Sequence, residues 1–429
     1  MDKPIVYVVH SVDVEGPMTE TIEATFDRMY AYGLPRRIKP DKEILQDIQC
    51  KNFHEIDNEL KENLAKVFNK HSLGYLTDWS QIDAMLNDVL SEGFRANHSD
   101  SAGNPYRFNW FIYDHHDAFT TNPRFHEEGT SKIFDHYIQG PLRDNTLDGI
   151  YFHYHHVAPS GCALESGTCW TENSTYEKII AHRIIERGWY FSCFRAGLHI
   201  ERNDMSHWLE QFIPFDFSAR YHNQDDYTPG GDFDWRGCPS VWGGWNPSWY
   251  DYRRQGDMKR YLFRSTDLWT YLSLLNENEV AEAFEQANQF GNAVLQYYNH
   301  DFRNMKFEIE EGYQVLQTVA QKYPSVEWRF VTAQEAAQKN LKLKNSPIKL
   351  SYDLTGNLLT VSSDTPIFGM QPFLAIKEAG KYFRDNFTDE GNNRWCYQFR
   401  NLDKVEAFGV AANNISGNYD VKVWKPYVE

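Results

Sequence analysis

Asp13 and Glu15, in SVDVEGP (11–17), stand two apart just beyond the apolar run IVYVV (5–9). Alternate residues of a strand point the same way, so these two carboxylates share one face. Three histidines, His153, His155 and His156, close a second run, GIYFHY (149–154). Arg195 ends a third, YFSCFR (190–195), Asp216 lies in FIPFDF (212–217), and His300 closes VLQYYNH (294–300) with Asp301 next to it. A carboxylate and two histidines from neighbouring strands make a three-ligand set with a fourth position open for water, the composition of a hydrolytic zinc site. A second carboxylate beside the ion can accept that water's proton. Two acids at a strand end are equally compatible with a solvated rim, but three histidines there are costly to bury without partners.

Such a set needs a frame that gathers strand ends. Eight runs rich in β-branched and aromatic residues recur: the five above plus FNWFIY (108–113), YLFRS (261–265) and WRFV (328–331). Between them apolar residues recur at helical spacing, as in Leu60, Leu64, Val67 and Phe68; Ile82, Met85, Leu86 and Val89; Tyr176, Ile179, Ile180 and Ile184; and Val280, Phe284 and Ala287. Strands alternating with helices predict a parallel α/β domain, and an approximately eightfold recurrence favours a barrel, whose chemistry collects at the C-terminal strand ends. The stretch of about 17–105 reads as a helical insertion. After about residue 340 the pattern changes: LKLKNSPIKLSYDLTGNLLTVSSD alternates about a Thr355-Gly356-Asn357 turn, and VKVWKP closes the chain in the same style. The expected organisation is a barrel over 1–338 and a small antiparallel β domain over 341–429, suited to docking or oligomer packing.

A formal net charge of −17 over 429 residues argues against duplex nucleic acid or an anionic membrane as partner. An aromatic content of 16% suits stacking on sugar rings as well as core packing. No run is long enough to span a bilayer, and the N-terminal apolar run is too short for a secretory signal, so a cytoplasmic protein is expected. The six cysteines contain no C-x-x-C pair and read as reduced thiols.

The order of SVDVEGP, FHYHH, FRAG, PFDFSA, YYNH and RFVTAQEAA resembles the polysaccharide-deacetylase (NodB-homology) superfamily over roughly residues 5–338. The resemblance implies an irregular (β/α) barrel of about seven strands, here followed by a small antiparallel β-sandwich-like domain. It also implies removal of an acetyl group from an amino sugar or saccharide by a water activated at a divalent metal, usually zinc. By position Asp13 matches the catalytic base, Glu15 the metal carboxylate, His153 the first metal histidine, Arg195 the arginine that holds the base, and His300 the histidine that protonates the departing amine. Two features depart from the pattern. The family's metal histidines are usually separated by three residues, and Val157 occupies the expected position, leaving His156 or His155 as second ligand; His156 is preferred, because a spacing of three on a turn returns a side chain to one face. The aspartate-tryptophan motif has two imperfect candidates, TDLW (Asp267) and FDW (Asp234). A non-sugar C–N amidohydrolase and a non-catalytic carbohydrate-binding relative are the alternatives on this fold. DHHD (114–117) and NHSDSAG (97–103) read as chance clustering and a turn, and VWGGWNPSWYDY (241–252) as a sugar platform or a packed lid.

Overall fold

IVYVV does not stop at its fifth residue: the strand continues through His10–Val14, so β1 spans Ile5–Val14 and Asp13 stands within it. The computed structural model describes residues 3–114, 129–158, 160, 167, 170–220, 235–268 and 275–426. Eight further strands follow: β2 (Asn109–Ile112), β3 (Gly149–Tyr154), β4 (Cys193–Ala196), β5 (Phe215–Arg220), β6 (Gly244–Trp245), β7 (Tyr261–Asp267), β8 (Asn292–His300) and β9 (Glu327–Phe330). All eight apolar runs are strands, yet only seven form the closed parallel barrel, in the order β1-β2-β3-β4-β5-β7-β8 and back to β1. The eighth is displaced because β1 divides its edge: Ile5–Val8 pair with β9, and Ser11–Val14 pair with β2. The interior is plugged by one or two residues from each stave, among them Val9, Phe111, Tyr151, Cys193, Phe217, Phe263 and Val294. Val6, Val8 and Val12, alternating with Val9 on β1, face outward into the helical layer.

Five helices lie between β1 and β2: α1 (Ile22–Ala31), α2 (Lys42–Gln49), α3 (Asn58–Val67), α4 (Trp79–Val89) and α5 (Glu92–Asn97). The expected insertion is therefore split in role. Phe26, Met29, Leu64, Val67 and Phe68 of the α1–α3 region make a small core of their own. Ile82, Met85, Leu86 and Val89 of α4 instead join the barrel's outer core. The remaining helices are α6 (Lys132–Gln139), α7 (Thr175–Arg187), α8 (Asn203–Leu209), α9 (Glu277–Phe290), α10 (Met305–Ala320) and α11 (Ala333–Asn340). None among the described residues is long and apolar enough to cross a membrane.

The C-terminal strands β10 (Leu350–Thr355), β11 (Leu358–Ser363), β12 (Phe373–Glu378), β13 (Lys381–Asp385), β14 (Thr388–Gly391), β15 (Arg394–Gln398), β16 (Val405–Asn413) and β17 (Tyr419–Trp424) form two antiparallel sheets, β10-β11-β15-β14 and β13-β12-β16-β17. Their shared core holds Leu350, Leu359, Val361, Leu374, Ile376, Phe408 and Val410. On β12 the intervening residues Phe373 and Ala375 turn the other way and pack with Ile179, Ile180 and Ile184 of α7. A strand buried on both faces reads as a continuous apolar run, which is why FLAI does not alternate.

Candidate metal and acid–base site

β1 pairs with β8 and β3 with β4 in the barrel wall, and their registers align the chemistry. Asp13 pairs across the sheet with His300, and His153 with Arg195. Arg195 reaches from β4 to Asp13 with two parallel hydrogen bonds, Nε to Oδ1 at 2.7 Å and Nη2 to Oδ2 at 2.9 Å. Its Nη1 donates to the Phe217 carbonyl at 2.6 Å. Arg195 is fully buried and Asp13 is 3% exposed. Burial alone would raise the Asp13 pKa, but Arg195 together with His153 and His300 outweighs it and holds the carboxyl well below the usual carboxylate range. Such a bidentate pair fixes orientation as well as charge.

Glu15 and Gly16 are held from behind by Asp301. Asp301 Oδ1 accepts from the Glu15 N–H at 2.8 Å, and Oδ2 accepts from the Gly16 N–H at 3.0 Å and from the Tyr137 hydroxyl of α6 at 2.7 Å. Gly16 turns the chain out of the strand at φ +73°, with its Cα 's missing side chain otherwise meeting Trp79 at 3.1 Å, so glycine fits there on two counts. Burial pushes the Asp301 carboxyl up to about 7 against these donors.

The His153 ring donates Nδ1–H to the Arg195 carbonyl at 3.0 Å, which leaves Nε2 with its lone pair free to bind. That Nε2 lies 3.0 Å from Nε2 of His155, and the latter lies 3.5 Å from Glu15 Oε1. Ligand atoms of Glu15, His153 and His155 all fall within 4.8 Å of one another. Nitrogen and oxygen ligands about 2.0–2.1 Å from a tetrahedral zinc stand about 3.3 Å apart, between those two separations. The donor set thus suits a zinc-like ion in charge, chemistry and spacing.

His156, preferred on the spacing argument, is outside this group. The strand ends at Tyr154, and beyond it the His155 ring lies beside that of His153 while His156 turns to the other side. There its ring stacks on Trp170, centroids 5.8 Å apart at 19°, beside Tyr154 and Tyr176. The glycine of FRAG explains the room for His155: a Cβ on Gly197 would lie 2.3 Å from that ring.

His300 completes the set. Its Nε2 is 3.8 Å from Glu15 Oε1, and its side chain is 20% exposed against 2% for His153. Burial lowers the pKa of His153 and of His300 to about 4, against the opposing pull of Asp13 and Glu15. Both imidazoles are therefore neutral at neutral pH, the form that can bind a cation or accept a proton.

Other polar residues at strand ends have structural partners. Asp216 is bound by Arg260 at 2.8 Å, Asp267 of TDLW by Arg220 at 2.6 Å, and Asp114 of DHHD by Arg183 at 3.0 Å. Asp234 and positions 115–117 lie outside the described residues. In NHSDSAG, Asp100 caps the turn through the Ala102 and Asn104 N–H groups at 2.9 and 3.0 Å. The aromatic loop divides: Trp242 and Trp245 are buried, whereas Tyr250 is 90% exposed. Asp301 was visible in the sequence as the neighbour of His300, but nothing there indicated that it would grip a different strand.

No family model matches the chain, and no curated protein matches it. Among solved structures it is similar to a candidate glycoside hydrolase/deacetylase from Parabacteroides distasonis, at TM-score 0.40 and 12% identity over 95% of this chain and 85% of that one. It is also similar to a candidate polysaccharide deacetylase from Mycobacterium smegmatis, at TM-score 0.34 and 11% identity over 82% and 96%. With likenesses of that size, the chemistry has to stand on this chain's own residues.

Proposed function

We propose that this chain is a divalent-metal-dependent hydrolase that removes an acetyl group from an amino sugar or related saccharide. The observation that carries the reading is the convergence of Glu15, His153 and His155 beside an acid locked by an arginine. Glu15, His153 and His155 would hold the ion, most suitably zinc, which when bound would supply Lewis acidity toward water and the acetyl carbonyl. Asp13 stays ionised and takes the proton of the attacking water; Arg195 keeps its carboxylate aimed. His300, neutral at rest and the most open of the group, takes a proton from solvent and delivers it to the departing amine, while Asp13 returns the water's proton to solvent. Assistance of this kind contributes roughly 10²–10⁴-fold for each proton transfer. A neutral saccharide also suits a surface of net charge −17 better than a polyanion does.

Metal content by mass spectrometry, measured beside acetate release from N-acetylated amino sugars, tests this. One zinc-like ion per chain, lost in Glu15→Ala and His155→Ala and kept in His156→Ala, is the expected result. Retention of the ion in Glu15→Ala and His155→Ala would overturn the ligand assignment. An ion bound as expected without acetate release from any sugar amide would favour a non-sugar amidohydrolase.

A further inference from the structure

His199 stands three residues past the end of β4, and no sequence pattern singles it out. Both Leu198 and His199 have φ of +52°, the left-handed region that residues other than Gly, Asn and Asp seldom adopt. Backbone of this kind persists only where the surroundings over-determine it, and it gathers at functional sites. Here the restraints are explicit. The ring's Nδ1 is 3.0 Å from the Ser218 carbonyl, the His199 carbonyl accepts from Trp235 Nε1 at 2.9 Å, and the Tyr298 ring lies 4.7 Å away. A carbonyl only accepts, so Nδ1 carries the hydrogen and Nε2 is left as an acceptor. The ring makes no other hydrogen bond among the described residues, although it is only 4% exposed. The Tyr298 ring that packs on His199 also lies under the Arg195 guanidinium, whose Cζ is 4.4 Å from its centroid, so His199 stands one ring away from the acid pair, while the ion-binding group does not include it.

We propose that His199 is a substrate-contacting residue whose Nε2 accepts a hydrogen bond from a sugar hydroxyl next to the acetyl group undergoing hydrolysis. This rests on the deacetylase reading. Burial, with Arg195 nearby, holds the imidazole neutral, as an acceptor must be. An acceptor left for the ligand on a ring that is otherwise buried discriminates between substrates that carry the hydroxyl and those that lack it.

Two substitutions separate a contact from a scaffold role. His199→Asn tolerates the left-handed backbone, and its amide N–H can replace Nδ1–H toward Ser218 while removing Nε2. His199→Gln places an amide oxygen near the lost Nε2. With a trisaccharide of N-acetylglucosamine as probe, His199→Asn is expected to raise KM about tenfold, the loss of one hydrogen bond, with kcat and zinc content little changed. His199→Gln is expected to recover part of that loss. KM within twofold of the parent in His199→Asn, or equal loss of kcat and zinc in both variants, would overturn the proposal. Calorimetric binding of the trisaccharide covers the case in which the parent releases no acetate: the deacetylase reading then fails, and a tenfold weaker Kd in His199→Asn would still support the contact. If the parent neither cleaves nor binds the trisaccharide, both are overturned.

Discussion

The rim of the barrel and the seam between α7 and the β12–β16 sheet use the same strand alternation to opposite ends. At the rim, i and i+2 bring Asp13 with Glu15 and His153 with His155 onto one face, concentrating buried charge. At the seam, i and i+2 set Phe373 and Ala375 against Ile179, Ile180 and Ile184, while the alternate Leu374 and Ile376 fill the sandwich core. Charge at the seam is confined to its border, where Lys377 and Lys425 meet Glu186 at 2.9 and 3.0 Å and Arg384 meets Glu177. The difference teaches where each region is vulnerable: the rim to loss of a partner, the seam to loss of volume.

Asp13→Ala should strike hardest. It leaves Arg195 charged and buried, so a loss of about 3–5 kcal/mol in denaturant-measured stability is expected, together with loss of acetate release. Phe373→Ala removes a fully buried ring from the seam. It should lower stability by about 3–5 kcal/mol and leave kcat/KM of the folded enzyme unchanged; a matching fall in kcat/KM would mean that seam and rim are coupled. Gly197→Ala crowds His155, and an overpacking cost of about 1–3 kcal/mol is expected, with metal affinity, measured by competition with a chelator, falling further than stability would suggest.

The smallest effect belongs to the border charges. Burial alone would raise the Glu186 carboxyl, but hydrogen bonds from Lys377, Tyr382 and Lys425 bring it from 4.5 down to about 2. A carboxyl depressed in the folded state contributes stability above pH 4.5 that is lost as pH falls toward about 2. Melting temperature should therefore decline over that window in the parent and decline less in Glu186→Gln, by a small margin because exposed pairs are weak.

Much of this was legible along the chain. Period-two and 3.6-residue patterns locate eight of the nine strands β1–β9, missing only the two-residue β6, and the four helical segments named, since burial of one face leaves a local signature. The same alternation that pairs Asp13 with Glu15 also sets His155, not His156, beside His153. The preference for His156 assumed a turn at His153, where the chain is still in strand β3. Asp301 escaped assignment because its partners, Glu15, Gly16 and Tyr137, come from distant positions, and His199 because backbone strain leaves no mark in residue spacing.

The sequence by itself determined which segments are strands and which faces carry acids, histidines and apolar residues, because those follow from near-neighbour periodicity and burial. Tertiary structure alone decided that seven staves close and the eighth stands aside, because β1 shares its edge between β2 and β9. It alone decided that α7 is covered by a second domain, and that Arg195, Asp301 and Ser218 fix Asp13, Glu15 and His199 in place. Those are contacts between residues far apart in the chain, and their geometry exists only when the sheet has closed.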